Sequence, residues 1–407
     1  MHISKRSALP AVTGIRFFLA MWVVVLHMKT ANAVFAATTK RFPVFIQGVI
    51  DSGASAVGIF FLLSGFVLAY NYDLGARWEG KRLSNFWLAR FARIYPVYCF
   101  ALIIGTATLI EIGALDWAIL HPLDLSRRMI EVLFLVQTWI PRDAQFWNGP
   151  AWSLSAEAFF YICFPALGAI LWKIERRGLQ VLTFAALWAT CCIVSFEIAA
   201  MRAPGLLLHE GVVQQTFWTA FIMWNPLIRL PEFLAGIMLC RLFLGQQQES
   251  TGWLRPGRGW ALSLPALVVM LVVVGENRLV PPIVLHNGLL LPASAALIMG
   301  LGLGGGVLER LLSKPKIVLL GQVSYSIYLL HIPVYTYFVV VGKRVVRTET
   351  QAWCMFAAYL ICVICLSIAT FYQIEERGRK AILARFGRNR SPVSDRIESL
   401  PVTADPM

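Results

Sequence analysis

Apolar runs of about twenty residues recur along this chain, each long enough to cross a hydrocarbon core of roughly 30 Å as a helix. They lie near 12–29, 52–71, 94–113, 151–172, 180–200, 217–241, 260–275, 286–304, 317–341 and 353–373. The fold class they predict is all-α, a polytopic transmembrane helical bundle of about ten spans. Composition agrees, because 58% of the 407 residues are apolar, 14% are charged and the mean hydropathy is +0.67, well outside the range of soluble domains. The first run follows Lys5 and Arg6, ends at Lys29 and has no small-residue cleavage pattern, so it reads as a span and not as a signal peptide.

Basic residues set the expected orientation. With about ten spans, the connections holding Arg77, Lys81 and Arg82, then Lys173 and Arg176, then Arg241 and Arg255, then Arg310 and Lys314, all fall on the cytoplasmic side. Lys40/Arg41 and Lys343/Arg344/Arg347 are the exceptions. Counting the short segment 129–140 as a further span would invert the later groups, so it is expected as a re-entrant or interfacial helix on the outer side. Both termini are then cytoplasmic. Residues 1–378 form one transmembrane domain, and 379–407 a basic, Ser-, Pro- and Asp-containing tail expected to be disordered. No separate soluble domain is evident. The net charge of +14 is topogenic and faces anionic lipid, and no nucleic-acid partner is expected.

All eight cysteines fall in apolar runs and read as small buried thiols. The CVIC spacing at 362–365 has neither a second pair nor a nearby histidine, so no metal or redox site is expected. GLGLGGG at 300–306 lacks the lysine and serine of a phosphate loop and reads as a helix end.

What remains is a short set of polar residues at membrane depth, where such residues are functional candidates. Arg16 and His27 are eleven residues apart, so they share one helix face about 16 Å apart along its axis. Alone, the arginine could be a snorkelling anchor and the histidine an interfacial residue. Arg90 and Arg93, three apart at the expected start of the third span, could grip phosphates bidentately or could mark topology. Glu157 lies about two turns into a span, where a carboxylate needs a partner or a cavity, and is expected at the depth of His27. Ser324 and His331, seven apart, share a face of the ninth span with Tyr325 nearby. Two prolines break the sixth span, where Arg229 and Glu232 are spaced to pair. Asp51 reads as a helix cap.

Taken in order, these motifs resemble acyltransferase family 3, integral membrane acyltransferases that decorate bacterial surface polysaccharides, lipopolysaccharide, nodulation factors and some antibiotics. The resemblance rests on the Arg-x10-His pair Arg16/His27, GIFFLLSGFVLA, Arg90-x-x-Arg93 followed by IYP, WSLSAEAFFY with Glu157, RLPEFLAG and SYSIYLLHIPV. It covers roughly residues 9 to 378. SAEAFFY departs slightly from the usual fourth motif, although Trp152, Glu157 and Tyr161 match. No hydrolase-like domain of the kind some relatives carry follows the membrane part. The resemblance implies transfer of an acyl group, commonly acetyl, from cytosolic acyl-coenzyme A to a hydroxyl of an extracytoplasmic or membrane-bound glycan. No cofactor is implied beyond this co-substrate, and the implied location is the bacterial cytoplasmic (inner) membrane. Arg90 and Arg93 would bind the coenzyme, and His27, Glu157 and Arg16 would act in catalysis. His27 would be either a general base or a transient acyl carrier. Tyr325, His331 and Ser324 are candidates for the acceptor side.

A proton-coupled transporter or flippase would also carry broken helices and intramembrane His, Glu and Arg. No internal repeat between the halves supports that reading. A non-enzymatic scaffold would leave the shared face of Arg16 and His27 without a purpose.

Overall fold

The computed structural model describes residues 7–31, 33–111, 121–208, 216–248, 254–345 and 348–387. In lipid a backbone must satisfy its own hydrogen bonds, and the apolar runs do so as helices. The principal ones are α1 (Pro10–Ala31), α2 (Ala56–Asn71), α3 (Gly80–Ile104), α4 (Pro122–Leu133), α5 (Trp152–Trp172) and α6 (Arg177–Arg202). They continue with α7 (Pro226–Gln247), α8 (Trp260–Gly275), α9 (Leu291–Leu303), α10 (Pro315–Val345), α11 (Glu349–Thr370) and α12 (Arg377–Phe386). Eight helical stretches among the described residues are long and apolar enough to cross a membrane, which makes this a multi-pass membrane protein.

Two of the expected spans fall short of that test. The sixth breaks at Asn225, whose side chain accepts from the Leu227 backbone N–H at 3.0 Å and caps α7. The seventh, α8, is apolar but only 16 residues long. The third differs more: it starts at Gly80 and ends at Ile104, whereas its apolar stretch suggested 94–113. Lys81, Arg82, Arg90 and Arg93 lower the hydropathy of its first half although that half is helical. Arg90 and Arg93 therefore stand mid-helix and not at a span entrance. Segment 129–140 is the end of α4 followed by tight 3-10 turns, with Leu123, Ile130 and Phe134 exposed on an otherwise polar helix. It is no span. Asp51 makes no side-chain cap but pairs with Lys29 at 2.5 Å. Helix also continues to Phe386, into the segment expected to be disordered, while 388–407, like 1–6 and Glu249, lie outside the described residues.

Small residues set the closest contacts, as in other membrane bundles. A methyl group on Gly65 would sit 2.0 Å from the Phe233 carbonyl oxygen, and one on Gly236 would sit 2.1 Å from that of Leu62. Helices α2 and α7 thus meet backbone to backbone. The same holds for α1 and α10, where a methyl on Gly321 would lie 2.1 Å from the Thr13 carbonyl oxygen. That contact matters most, because α1 carries Arg16 and His27 while α10 carries Ser324, Tyr325 and His331.

Candidate active site

Helices α1, α2, α3, α5 and α10 enclose a cavity of about 320 Å³. Four arginines line it: Arg16, Arg90, Arg93 and Arg379. Ser64 of α2 donates to the Glu157 carboxylate at 2.6 Å, and Tyr161, one turn further along α5, lines the same wall. The Arg90 guanidinium donates to the Tyr72 hydroxyl at 3.3 Å and lies over its ring. Arg93 is ion-paired with Glu375, a buried carboxylate whose second oxygen accepts from Ser326 at 3.3 Å. Glu375 stands in a wide π turn, Phe371–Glu376, of a kind often found at functional sites.

Helix α10 closes the opposite wall. Ser324 lines the cavity while donating to its own helix at Gly321, and Tyr325 donates to the Ile94 carbonyl of α3 at 2.8 Å. One turn on, Tyr328 lines the cavity too, donating to the Pro150 carbonyl at 3.1 Å and accepting from Ser153 at 3.0 Å. Beyond it lies the imidazole pair. His331 Nε2 is 2.9 Å from His27 Nδ1, and His331 Nδ1 is 2.7 Å from the Tyr328 carbonyl oxygen. A carbonyl only accepts, so the proton is on His331 Nδ1. His331 Nε2 then accepts from His27 Nδ1–H, which leaves His27 Nε2 as the basic nitrogen. Tyr359 donates to the His331 carbonyl at 3.0 Å, and His331 is fully buried.

The candidates from sequence thus separate into two groups. Arg16, Arg90, Arg93, Glu157, Ser324 and Tyr325 share the cavity, whereas His27 and His331 form a pair further along the same two helices. Ser324 and Tyr325 lie with the arginines and not beside His331. Glu157 accepts from Ser64 and faces the cavity with Arg16, whereas the side-chain partner of His27 is His331. Residues 137–151 lead into α5 as tight turns with Gln137, Thr138, Asp143 and Asn148 buried, and Asn148 donates to the Leu329 carbonyl at 3.0 Å. Helix α5 accordingly starts behind buried turns, and Glu157, less than two turns in, lines the cavity that Arg16 also lines. Sequence reasoning passed over Ser64, Glu375 and Arg379. Only Glu375, an acid ending the last apolar run just before RGRK, left a visible signal.

Behind the cavity wall, Arg229 and Glu232 pair at 3.0 Å, as their spacing predicted, and both are buried. His286 and Asn287 also hold Arg229, at a kink where Gly288 has φ +103°. The Arg229 guanidinium lies over the Phe61 and Trp152 rings. Phe61 lines the cavity, so this buried pair braces the wall and does not face the substrate space.

Residues 9–372 match the family described as "Acyltransferase domain", Acyl_transf_3. The chain belongs to acyltransferase family 3. This family 3 acyltransferase is 29% identical over 381 residues to acyltransferase MdmB of Streptomyces mycarofaciens, covering 89% of this chain and 87% of that protein. It is 23% identical to a Staphylococcus aureus (strain COL) protein named as an O-acetyltransferase, over 85% of this chain but 56% of that longer protein. Nodulation protein 10 of Rhizobium leguminosarum bv. viciae is 26% identical over 186 residues, 40% of this chain and 46% of its own length. No solved structure matches. Family membership makes the protein a membrane-embedded acyltransferase, an enzyme.

Proposed function

We propose that this acyltransferase moves an acyl group, acetyl in the first instance, from cytosolic acyl-coenzyme A to a hydroxyl of an extracytoplasmic or membrane-bound glycan, such as an exopolysaccharide or O-antigen unit. Its place is the bacterial cytoplasmic (inner) membrane with both termini inside. The observation that carries the reading is the division of labour along α1 and α10, which line an arginine-rich cavity and, further along, bring two imidazoles together. Guanidiniums suit phosphate oxygens, so the cavity receives the coenzyme. Its pantetheine arm extends past Arg16 and Tyr328 toward His27.

There His27 Nε2 takes the proton of the acceptor hydroxyl as that oxygen attacks the thioester carbonyl carbon. The carbon–sulfur bond then breaks, the leaving thiolate takes the proton back from His27, and an ester and free coenzyme A result. His331 helps fix the tautomer that makes Nε2 the base. Arg16 and Glu157 set the charge along the arm's route.

The test is acetyl transfer by purified protein in vesicles, read as free-thiol release from acetyl-coenzyme A, with glycan mass spectrometry of a deletion strain to read the acceptor. Wild type should release thiol and His27→Ala should not, although it still binds coenzyme A. A deletion strain whose glycans keep every acetyl group would sink the glycan assignment.

A further inference from the structure

We infer that Phe60 and Tyr328 set the length of acyl chain this enzyme accepts, by narrowing the cavity on its way to the imidazole pair; this rests on the donor reading above. The register of the helices gives the cavity two unlike halves. Tyr70, at the end of α2, donates to the Ser7 carbonyl at 2.9 Å, whereas a methyl group on Gly53, just before α2, would lie 2.6 Å from the Trp22 carbonyl oxygen of α1. Helix α2 therefore runs antiparallel to α1. Tyr72, just past its end, meets Arg90, while Val57 and Phe60, near its start, line the half that leads toward His27. Helix α5 is ordered the same way, since Ser153 bonds Tyr328 while Glu157, one turn on, bonds Ser64.

Aromatic bulk collects in that second half. The Phe60 and Tyr328 rings stand edge to face with 6.2 Å between centroids, and the Tyr328 ring lies 5.9 Å from that of His331. Val57, Phe61 and Leu154 complete an apolar wall. Tyr328 is buried and fixed, because its hydroxyl donates to the Pro150 carbonyl and accepts from Ser153. Phe60 is only half-buried and lines the cavity beside it. A thioester passing from the arginines toward His27 meets these two rings. The pantetheine arm is a narrow chain, but each methylene added to the acyl group at its tip needs space that the rings fill, and one methylene in an apolar pocket is worth about 10- to 200-fold in specificity. The whole cavity, about 320 Å³, lies at the small end of the range for small-molecule pockets, roughly 300–1,000 Å³, and leaves little spare room for a long chain.

Thiol release by the purified full chain from acetyl-, butyryl- and hexanoyl-coenzyme A, compared as kcat/KM, tests this. Wild type should favour acetyl over butyryl by about tenfold or more, and over hexanoyl by more still. Phe60→Ala should narrow the acetyl-to-butyryl ratio about tenfold, and Phe60→Leu, a milder truncation, should narrow it less. Tyr328→Leu, which removes the other ring, should act in the same direction. Ile162→Ala, at an exposed position on α5, should leave the ratio as in wild type. A ratio unchanged in the variants of either position overturns the assignment for that residue and leaves the donor reading standing. Equal loss of activity toward all three thioesters also overturns it, reducing the ring to a packing group. Wild type that uses hexanoyl-coenzyme A as well as acetyl-coenzyme A overturns the selection altogether, and wild type that releases thiol from none of the three overturns the donor reading itself.

Discussion

His27 owes its basic nitrogen to its surroundings: Nδ1 faces His331 Nε2 and the ring also bonds the Val23 backbone, so loss of His331 removes one of the two groups that hold its tautomer. His331→Ala should therefore lower the transfer rate by about 10- to 100-fold while the KM for the donor stays near wild type, the pattern of a positioning residue. His27→Ala should lose more, about 10²- to 10⁴-fold, the range for a general base. Steady-state thiol release reads both, and a His331→Ala defect confined to KM would remove the histidine pair from the chemistry. The two central arginines should differ as well. Arg93→Ala strands the buried Glu375 carboxylate and should lower both stability and donor affinity, with Glu375→Gln in the same protein recovering the stability alone. Arg90 donates to the Tyr72 hydroxyl, a neutral group, so Arg90→Ala should lower donor affinity with a smaller loss of stability than Arg93→Ala. Thermal melts in detergent beside donor titrations separate the two cases.

Among the elements, α4 shows how a polar helix is held against the bundle. Arg127 bridges Asp124 at 2.7 Å, Asp143 at 2.9 Å and Glu131, and the last two are buried. The hydrogen bond from Arg127, reinforced by Arg128, holds the Asp124 carboxyl below the usual carboxylate range. A carboxyl with its folded pKa depressed contributes stability that is present above its unfolded value, about pH 4, and is lost as pH falls through the folded value. Amide protection in α4, the exchange rate relative to that of an unfolded chain at the same pH, should thus stay high at neutral pH and fall below about pH 4. Arg127→Ala should lower it at pH 7 as well, because Glu131 and Asp143 then lack their shared partner. Exchange in the variant that matched wild type at pH 7 would show the network to be decorative.

Element boundaries also show what the sequence reveals and what it hides. Apolar length found most spans and the Arg229–Glu232 pair, because lipid demands both long runs and paired charges. It misplaced α3, whose arginines line a cavity that hydropathy does not register, and it left the Ser64 partner of Glu157 unseen, because that contact depends on how α2 and α5 pack. The imidazole pair was half legible: each histidine stood out alone, but their contact follows from how Gly321 lets α10 meet α1.

At the scale of the whole molecule, orientation is the open arrangement, and labelling in a cysteine-free background reads it. Glu79→Cys should react only from the cytoplasmic side, and Arg142→Cys and Glu276→Cys only from the outside, all three positions being exposed. Reaction of Arg142→Cys from the cytoplasm would reverse the depth assigned to Glu157 and His27. The Gly321–Thr13 contact has a consequence of another kind. A single unbroken helix joins Arg16 to His27, and backbone contact locks it to the helix carrying Tyr325 and His331. Arg16 and His27 are thereby held on one helix about three turns apart, with His331 carried against His27 by the packed partner helix. Donor choice becomes a matter of measurement. If the donor is the proposed acyl-coenzyme A, a thioester whose arm is too short to reach the histidines from the arginine-lined cavity should be rejected by distance, whatever its acyl group.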